Sequence, residues 1–224
     1  MQKRGNKNMK SSRAYIEYKL NQSIYIPSDK LREQSPLDSS LQQGHPIAPD
    51  EKFPPEYFEK HHATREGGSH GMRGDNRSPE ELNYTIQPKC SYPQTKPHYD
   101  LTEHRGSSDC SGFASLTRDA GQARDFGKSS VDEVGSFYTY STKVEDGFRV
   151  QGTFNKYPKE DETSSVTPTP IDSFRQCRGD KFTDMFNCGN IFVRAELDQA
   201  TQEKLVSAQL TPYEKERGVK ASKP

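Results

Sequence analysis

Hydrophobic and polar positions alternate over short stretches in the second half of the chain, and this pattern predicts a β-rich domain. The stretches GFASLT, IDSFRQCR and NIFVRAEL are each typical of strands. A further apolar set predicts a β-hairpin that turns at 145–147, and its members are Phe137, Tyr138, Tyr140, Val144, Phe148, Val150 and Phe154. Between the strands, RDAGQARDF places Ala120, Ala123 and Phe126 on one predicted helical face, and AELDQATQEKLVSAQL has helical composition. The pattern therefore predicts an α+β domain.

The first 65 residues differ from the rest and predict a polar, partly disordered N-terminal extension, 1–65. Its segments AYIEYKL and SIYI are long enough for short strands or for docking on a partner. The domain is expected to occupy 66–224, with a tail, EKERGVKASKP, that frays. Near its start, Met72 to Arg77 is predicted to end a strand, and SPEEL to begin a short helix capped by Ser78.

Composition predicts a small core and argues against some kinds of partner and site. Only 29% of the 224 residues are hydrophobic, so we expect a small core built from the 11 Phe and 11 Tyr. The 32 basic and 32 acidic side chains cancel, which argues against nucleic acid as a partner, and no apolar run is long enough to cross a bilayer. The first residues lack the apolar stretch of a signal peptide. The four Cys and six His form no recognisable metal pattern, and the sequence leaves open whether the cysteines form two disulfides or stay reduced.

Three motifs follow one another in the domain: MRGDNRSPEEL, SGFASLT and EDETSS. In this order they resemble the signature of the arginine-directed mono-ADP-ribosyltransferase toxins, the group of cholera toxin, heat-labile enterotoxin and pertussis toxin. The resemblance covers roughly residues 70 to 176 and depends on the combination, because each motif alone is weak. It implies an ADP-ribosyltransferase fold, in which two small β-sheets with flanking short helices pack around an NAD cleft.

The resemblance also implies roles for individual residues. Glu162 and Glu160 would be catalytic, and NAD, the substrate, would be held by residues that match the motifs or their usual offsets: Arg73, Asp75, His98, Ser115 and Thr117. A family histidine commonly lies well before the serine strand, and His98 fits that offset, although His104 sits in similar letters.

The proposed chemistry gives the two glutamates different tasks. Cleavage of the nicotinamide-ribose bond develops positive charge on the sugar, which the Glu162 carboxylate would stabilise. An arginine acceptor is cationic and must be oriented by a second carboxylate, which would be Glu160. Positions two apart in an extended segment project to the same side, so both acids can face one cleft. Ser115 would fix the rotamer of Glu162.

The sequence thus predicts an enzyme that transfers ADP-ribose from NAD to arginine of a target protein, as a toxin or effector that is secreted or injected and acts in the cytosol of a target cell. The extension could bind a chaperone, an immunity protein or a binding subunit. One alternative is an NAD glycohydrolase, in which water is the acceptor. The other is an interaction protein without catalysis, in which Arg73 is an ion-pair partner of Asp75 or Glu81 and Ser115 is a buried hydroxyl.

Overall fold

The computed structural model describes residues 14–20, 24–27, 53, 55–87, 90, 96–106, 109–150, 162–183, 185–217 and 219–221. Its elements in chain order are β1 (Tyr15–Leu20), β2 (Ile24–Pro27), α1 (Pro55–His61), β3 (Ala63–Glu66), β4 (His70–Asp75), β5 (Thr85–Ile86), α2 (Leu101–Gly106), β6 (Phe113–Leu116), α3 (Ala120–Ser129), β7 (Val134–Lys143), β8 (Gly147–Val150), β9 (Thr163–Val166), β10 (Thr169–Pro170), β11 (Ser173–Asp180), β12 (Met185–Arg194), α4 (Gln199–Gln209), α5 (Pro212–Arg217) and β13 (Val219–Ala221). This is an α+β fold with mostly antiparallel sheets and few helices.

The strands form two main sheets. The larger has the order β13-β1-β12-β11-β7-β4, with β2 also paired to β12. The smaller has the order β3-β8-β9-β6, and β10 pairs separately with β5. The two main sheets meet where Met72 of β4 exchanges two backbone hydrogen bonds with Thr117, at N···O distances of 2.7 and 2.8 Å. This crossing brings the end of β6 against the middle of β4.

Aromatic and aliphatic side chains fill the space on both faces of the smaller sheet. One cluster lies between the two sheets and contains Leu82, Ile86, Ala114, Leu116, Tyr140, Val144 and Ile171. A second cluster, largely aromatic, packs α1 and α2 onto the other face and contains Phe53, Ala63, Leu101, Phe113 and Phe148. Full burial of a phenylalanine stabilises the fold by about 1.5 to 3 kcal/mol, so a few rings supply much of the core energy. Strand alternation in β6 separates the clusters, since Leu116 faces one and Phe113 the other.

Helices cover the outer face of the larger sheet. Helix α3 begins at Asp119, whose side chain accepts hydrogen bonds from Gly121 N and Gln122 N. It lies so close to β4 that a Cβ at Gly74 would stand 1.9 Å from the carbonyl oxygen of Ala123. Glycine is therefore required at this point of β4 by the close approach of the helix backbone.

Several predicted elements are confirmed, among them β6, α3, β11, β12 and α4. The predicted hairpin is wrong: β7 pairs with β4 and β11, whereas β8 pairs with β3 and β9, so the turn between them carries the chain from one sheet to the other. The prediction that Phe126 shares the buried face of Ala120 and Ala123 is also wrong, because Phe126 is 43% exposed. Six residues of helix rotate the side chain by about 240° relative to the start, away from the sheet.

The segment after Arg77 forms a single turn instead of a helix. Ser78 and Glu81 make the reciprocal bonds of a capping box, with Ser78 N donating to Glu81 Oε2 at 2.6 Å and Glu81 N donating to Ser78 Oγ at 3.2 Å. Asn83 and Tyr84 then adopt positive φ values of 47° and 54°, which ends any right-handed helix. The predicted start is present, and the helix does not continue.

Both ends of the chain contribute to the larger sheet. Strand β1, within the segment assigned to the extension, lies between β12 and β13, and Tyr18 pairs with Ala221. Helix α5, in the segment expected to fray, places Glu214 in a buried position. Among the residues that the structure describes, no helix combines the length and apolar character needed to span a bilayer.

Candidate active site

The crossing of β4 and β6 brings the first two motifs into contact. Arg73, on the edge strand β4, donates from Nη1 to the carbonyl oxygen of Ser115 at 3.3 Å. Its Nε lies 3.4 Å from Asp75 Oδ2, so it also makes the ion pair that the interpretation without catalysis expected. The Arg73 side chain is 24% exposed, so it is only partly shielded from solvent.

The third motif joins the same cluster through Glu162. Strand β9 pairs with β6, and Ser164 lies opposite Ser115. Glu162, two residues earlier, projects to the same side of the strand as Ser164 and therefore toward Ser115. Its Oε1 lies 3.7 Å from His104 Nε2, and that nitrogen lies 3.0 Å from Ser115 Oγ. The three side chains form a compact polar cluster beside Arg73.

The pKa of Glu162 is lowered although the carboxyl is largely buried. Burial raises its pKa, but hydrogen bonds with His104 and Ser115 outweigh this effect, and the charges of His104 and Arg105 lower it further. In the tautomer with the proton on Nε2, His104 donates to Ser115 Oγ, and the hydroxyl proton is then free to point at Glu162. The cluster thus holds an ionised carboxylate at neutral pH.

Helix α2 positions His104. Asp100 caps the helix, since its Oδ1 accepts hydrogen bonds from Thr102 N at 2.8 Å and Glu103 N at 3.1 Å. Leu101 anchors α2 in the aromatic cluster, and the His104 ring packs edge-on against Phe113 at 5.7 Å between centroids. The His104 side chain is 1% exposed, so its orientation is fixed by packing on every side.

A disulfide and a second helix hold the α2 segment in place. Cys90 is bonded to Cys110, and the carbonyl oxygen of Cys110 accepts a hydrogen bond from His98 N at 3.0 Å. From α1, Tyr57 donates its hydroxyl to the carbonyl oxygen of Tyr99 at 2.8 Å. The second disulfide, Cys177 to Cys188, joins β11 and β12 away from this segment.

Asp75 lies beside the cluster but is engaged by arginines. Arg77 grips its carboxylate with two side-chain bonds, Nε to Oδ1 at 2.9 Å and Nη2 to Oδ2 at 2.7 Å. Burial raises the pKa of Asp75, but the bonds and charges of Arg77 and Arg73 outweigh it and bring the value to about 2. Its geometry suits a residue that orients Arg73 and Arg77.

The remaining predicted site residues lie elsewhere or outside the described residues. Thr117 is buried at the sheet crossing, and its Oγ1 accepts a hydrogen bond from Asp119 N at 3.1 Å, at the start of α3. His98 lies before α2, with Nδ1 3.7 Å from Glu103 Oε2, and it is His104 that the structure places against Ser115 and Glu162. Glu160 falls outside the described residues. The sequence offset favoured His98, whereas the packing of Leu101 and the cap at Asp100 select His104.

Comparison with known proteins adds no assignment to this geometry. Neither a scan against protein-family models nor a search of curated proteins gives a match to this chain.

Proposed function

We propose that this protein is an NAD-dependent mono-ADP-ribosyltransferase that modifies arginine on a target protein. The observation that carries the proposal is the convergence of Glu162, Ser115 and Arg73 from three motifs onto the crossing of two sheets. The finer fold assignment, an ADP-ribosyltransferase fold whose two sheets pack around an NAD cleft, is part of the same proposal. The two disulfides are typical of proteins that pass through an oxidising compartment, which suits a secreted toxin or effector.

The reaction begins with cleavage of the bond between nicotinamide nitrogen and ribose C1. The bonding electron pair leaves with nicotinamide, whose ring becomes neutral, and positive charge develops on the ribose. Glu162, ionised because of its hydrogen bonds to His104 and Ser115, would face that charge and stabilise it. The hydrogen bonds also fix the carboxylate in one rotamer, so little reorganisation is needed during the reaction.

Transfer follows when a guanidinium nitrogen of the target attacks ribose C1. A new carbon-nitrogen bond forms, and the attacking nitrogen loses a proton to a base, the role assigned to Glu160. Arg73, whose side chain is 24% exposed beside the cluster, would bind a diphosphate oxygen through its guanidinium. Asp75 would keep the guanidinium of Arg73 in that orientation.

The experiment incubates the purified chain with adenylate-labelled NAD and a small guanidine acceptor or a cell lysate, and it measures released nicotinamide and transferred label separately. Glu162→Gln should reduce both signals by about a hundredfold or more. Glu160→Gln should retain release and lose transfer to guanidine. Glu196→Gln, an exposed carboxylate remote from the cluster, is the matched control.

Each outcome for the wild-type chain separates the alternatives. Release together with transfer to guanidine supports the proposal. Release without transfer to any acceptor indicates an NAD glycohydrolase. No release at all refutes catalysis and favours an interaction protein. Labelling that survives Glu160→Gln would overturn arginine specificity as assigned.

A further inference from the structure

The face of the smaller sheet opposite Ser115 and Glu162, which points toward the larger sheet, carries a buried polar link between β3, β9 and the segment that follows β6. Glu66 of β3 accepts a hydrogen bond at Oε2 from Thr163 Oγ1, at 2.8 Å. The other carboxylate oxygen of Glu66 forms an ion pair with Arg118. The side chains of Glu66 and Arg118 are 15% and 4% exposed, so the link is largely shielded from water.

The residues of this link are close in sequence to members of the polar cluster formed by Glu162, His104 and Ser115. Thr163 follows Glu162, and Arg118 follows Thr117 at the end of the serine motif. Leu116 and Thr163 are opposite each other in the β6-β9 ladder, so their side chains share one face. Neighbouring side chains alternate, and Ser115 and Glu162 therefore project to the other face. The Glu66 carboxylate therefore contacts the segment next to Glu162, through Thr163, and the segment that follows Ser115, through Arg118.

Gly147 makes this connection geometrically possible. Strand β8 lies between β3 and β9, and Gly147 pairs with Glu66 on one side and Ser165 on the other. A Cβ at Gly147 would stand 3.2 Å from Thr163 Cγ2 and 2.4 Å from Val144 Cγ1. The missing side chain leaves room for Glu66 to reach across β8 to Thr163.

A second arginine, Arg149, adds positive charge near Arg118 and the Glu66 carboxylate. Burial and the charge of Arg149 lower the pKa of Arg118 to about 10. Arg149 lies on β8 on the same face as Thr163, by alternation from Gly147. Glu66 therefore supplies negative charge where two guanidinium groups approach each other.

We propose that Glu66 is a positioning residue for the glycosyl-transfer reaction, which sets the place of Glu162 by tying Thr163 and Arg118 together behind it. The inference rests on the proposed function. Glu66 itself touches no reacting atom. Its effect is on the rate of the bond-breaking step, because an ångström of displacement of a catalytic group is enough to reduce a rate severalfold to a hundredfold.

The test compares Thr163→Val, which keeps the shape and removes the hydroxyl, with Thr163→Ser, which keeps the hydroxyl. The measurements are kcat and KM for nicotinamide release and the melting temperature. Thr163→Val should lower kcat by roughly tenfold, leave KM for NAD within about twofold, and shift the melting temperature by only a few degrees. Thr163→Ser should retain most of kcat. Glu66→Gln should lower both kcat and the melting temperature, since it removes the ion pair with Arg118.

The matched control is Asp146→Asn. The Asp146 carboxylate accepts two hydrogen bonds from Arg65, the residue next to Glu66, at 3.0 and 3.2 Å. It should leave kcat unchanged. A folded Thr163→Val variant with wild-type kcat overturns the proposal, and so does an equal loss of kcat in the Asp146→Asn control.

A second readout separates failure of this inference from failure of the proposed function. If the wild-type chain releases no nicotinamide, the proposed function fails, and amide hydrogen exchange then decides whether Glu66 holds β9. Exchange at Thr163 and Ser164 should be at least about tenfold faster in Thr163→Val and in Glu66→Gln than in wild type and Asp146→Asn. Unchanged exchange in both variants would mean that Glu66 has no positioning effect on this strand.

Discussion

Removal of the negative charge of Glu214 should destabilise the protein strongly. Glu214 and Arg175 form an ion pair whose side chains are 2% and 1% exposed. Arg175 Nη1 lies 3.1 Å from Glu214 Oε2, and its Nη2 bonds to Oε1. Arg124 is buried beside them and adds positive charge, so Glu214→Gln would leave the Arg175 guanidinium in the core without the carboxylate that it bonds. Removal of one partner of a buried pair costs about 3 to 5 kcal/mol.

The glutamine variant isolates the charge. Thr211 and Glu214 form a capping box, with Thr211 N donating to Glu214 Oε2 at 2.9 Å and Glu214 N donating to Thr211 Oγ1 at 3.0 Å. Glutamine can serve in that box, so the helix start is preserved while the amide nitrogen opposes a guanidinium donor. The control is Asp146→Asn in the pair with Arg65, whose side chains are 13% and 22% exposed and which is therefore less buried than the Glu214 pair; it should cost about 1 kcal/mol.

Urea denaturation at neutral pH measures the free energy of unfolding of both variants. The pH dependence gives an independent check. Burial raises the pKa of Glu214, but the charge and hydrogen bonds of Arg175 outweigh it, so the folded-state pKa lies below the ordinary 4.5. The stabilisation is therefore fully present above a pH of about 4.5 and is lost as the pH falls through the folded-state value. The difference between wild type and Glu214→Gln should shrink in that acidic range. A Glu214→Gln variant within about 1 kcal/mol of wild type at neutral pH would refute the reasoning.

Three further predictions concern the site and its support. His104→Asn should lower kcat for nicotinamide release at least about tenfold, whereas His98→Asn should stay within about threefold; the reverse order would return the histidine role to His98. Cys90→Ser should lower the free energy of unfolding by about 3 kcal/mol, because it opens the loop that the disulfide closes across a sequence separation of 20. Urea denaturation of the variant and of wild type measures this difference, which should vanish when both are measured under reducing conditions. Gly74→Ala should lower the melting temperature by at least several degrees because its Cβ meets the α3 backbone, and an unchanged melting temperature would contradict that contact.

The sequence predicted individual strands and helices better than it predicted which strands pair with each other. Alternation located β11 and β12, and apolar spacing located α3, because these signals depend only on neighbouring residues. The β7-β8 hairpin failed because a turn sequence does not reveal whether the strands it joins pair with each other or diverge to two sheets. Nonlocal pairing is decided by the whole core.

The candidate site was predicted in part for the same reason. Motif order identified Arg73, Ser115 and Glu162, and the structure brings them together. His104 was passed over because loop length before a strand varies, and only the packing of α2 determines which histidine faces inward. Glu66 has no signal in the sequence, since an acidic residue at a strand end usually marks a solvated surface.

The pairing of β13 with β1 has a consequence for how the protein is made. Tyr18 and Ala221 are neighbours in the sheet although almost the whole chain separates them. A growing polypeptide cannot close this edge until its last strand has left the ribosome, and contacts of such long range form slowly. During synthesis β1 lacks both of its neighbours in the sheet, β12 and β13, until the C-terminal part of the chain has been made.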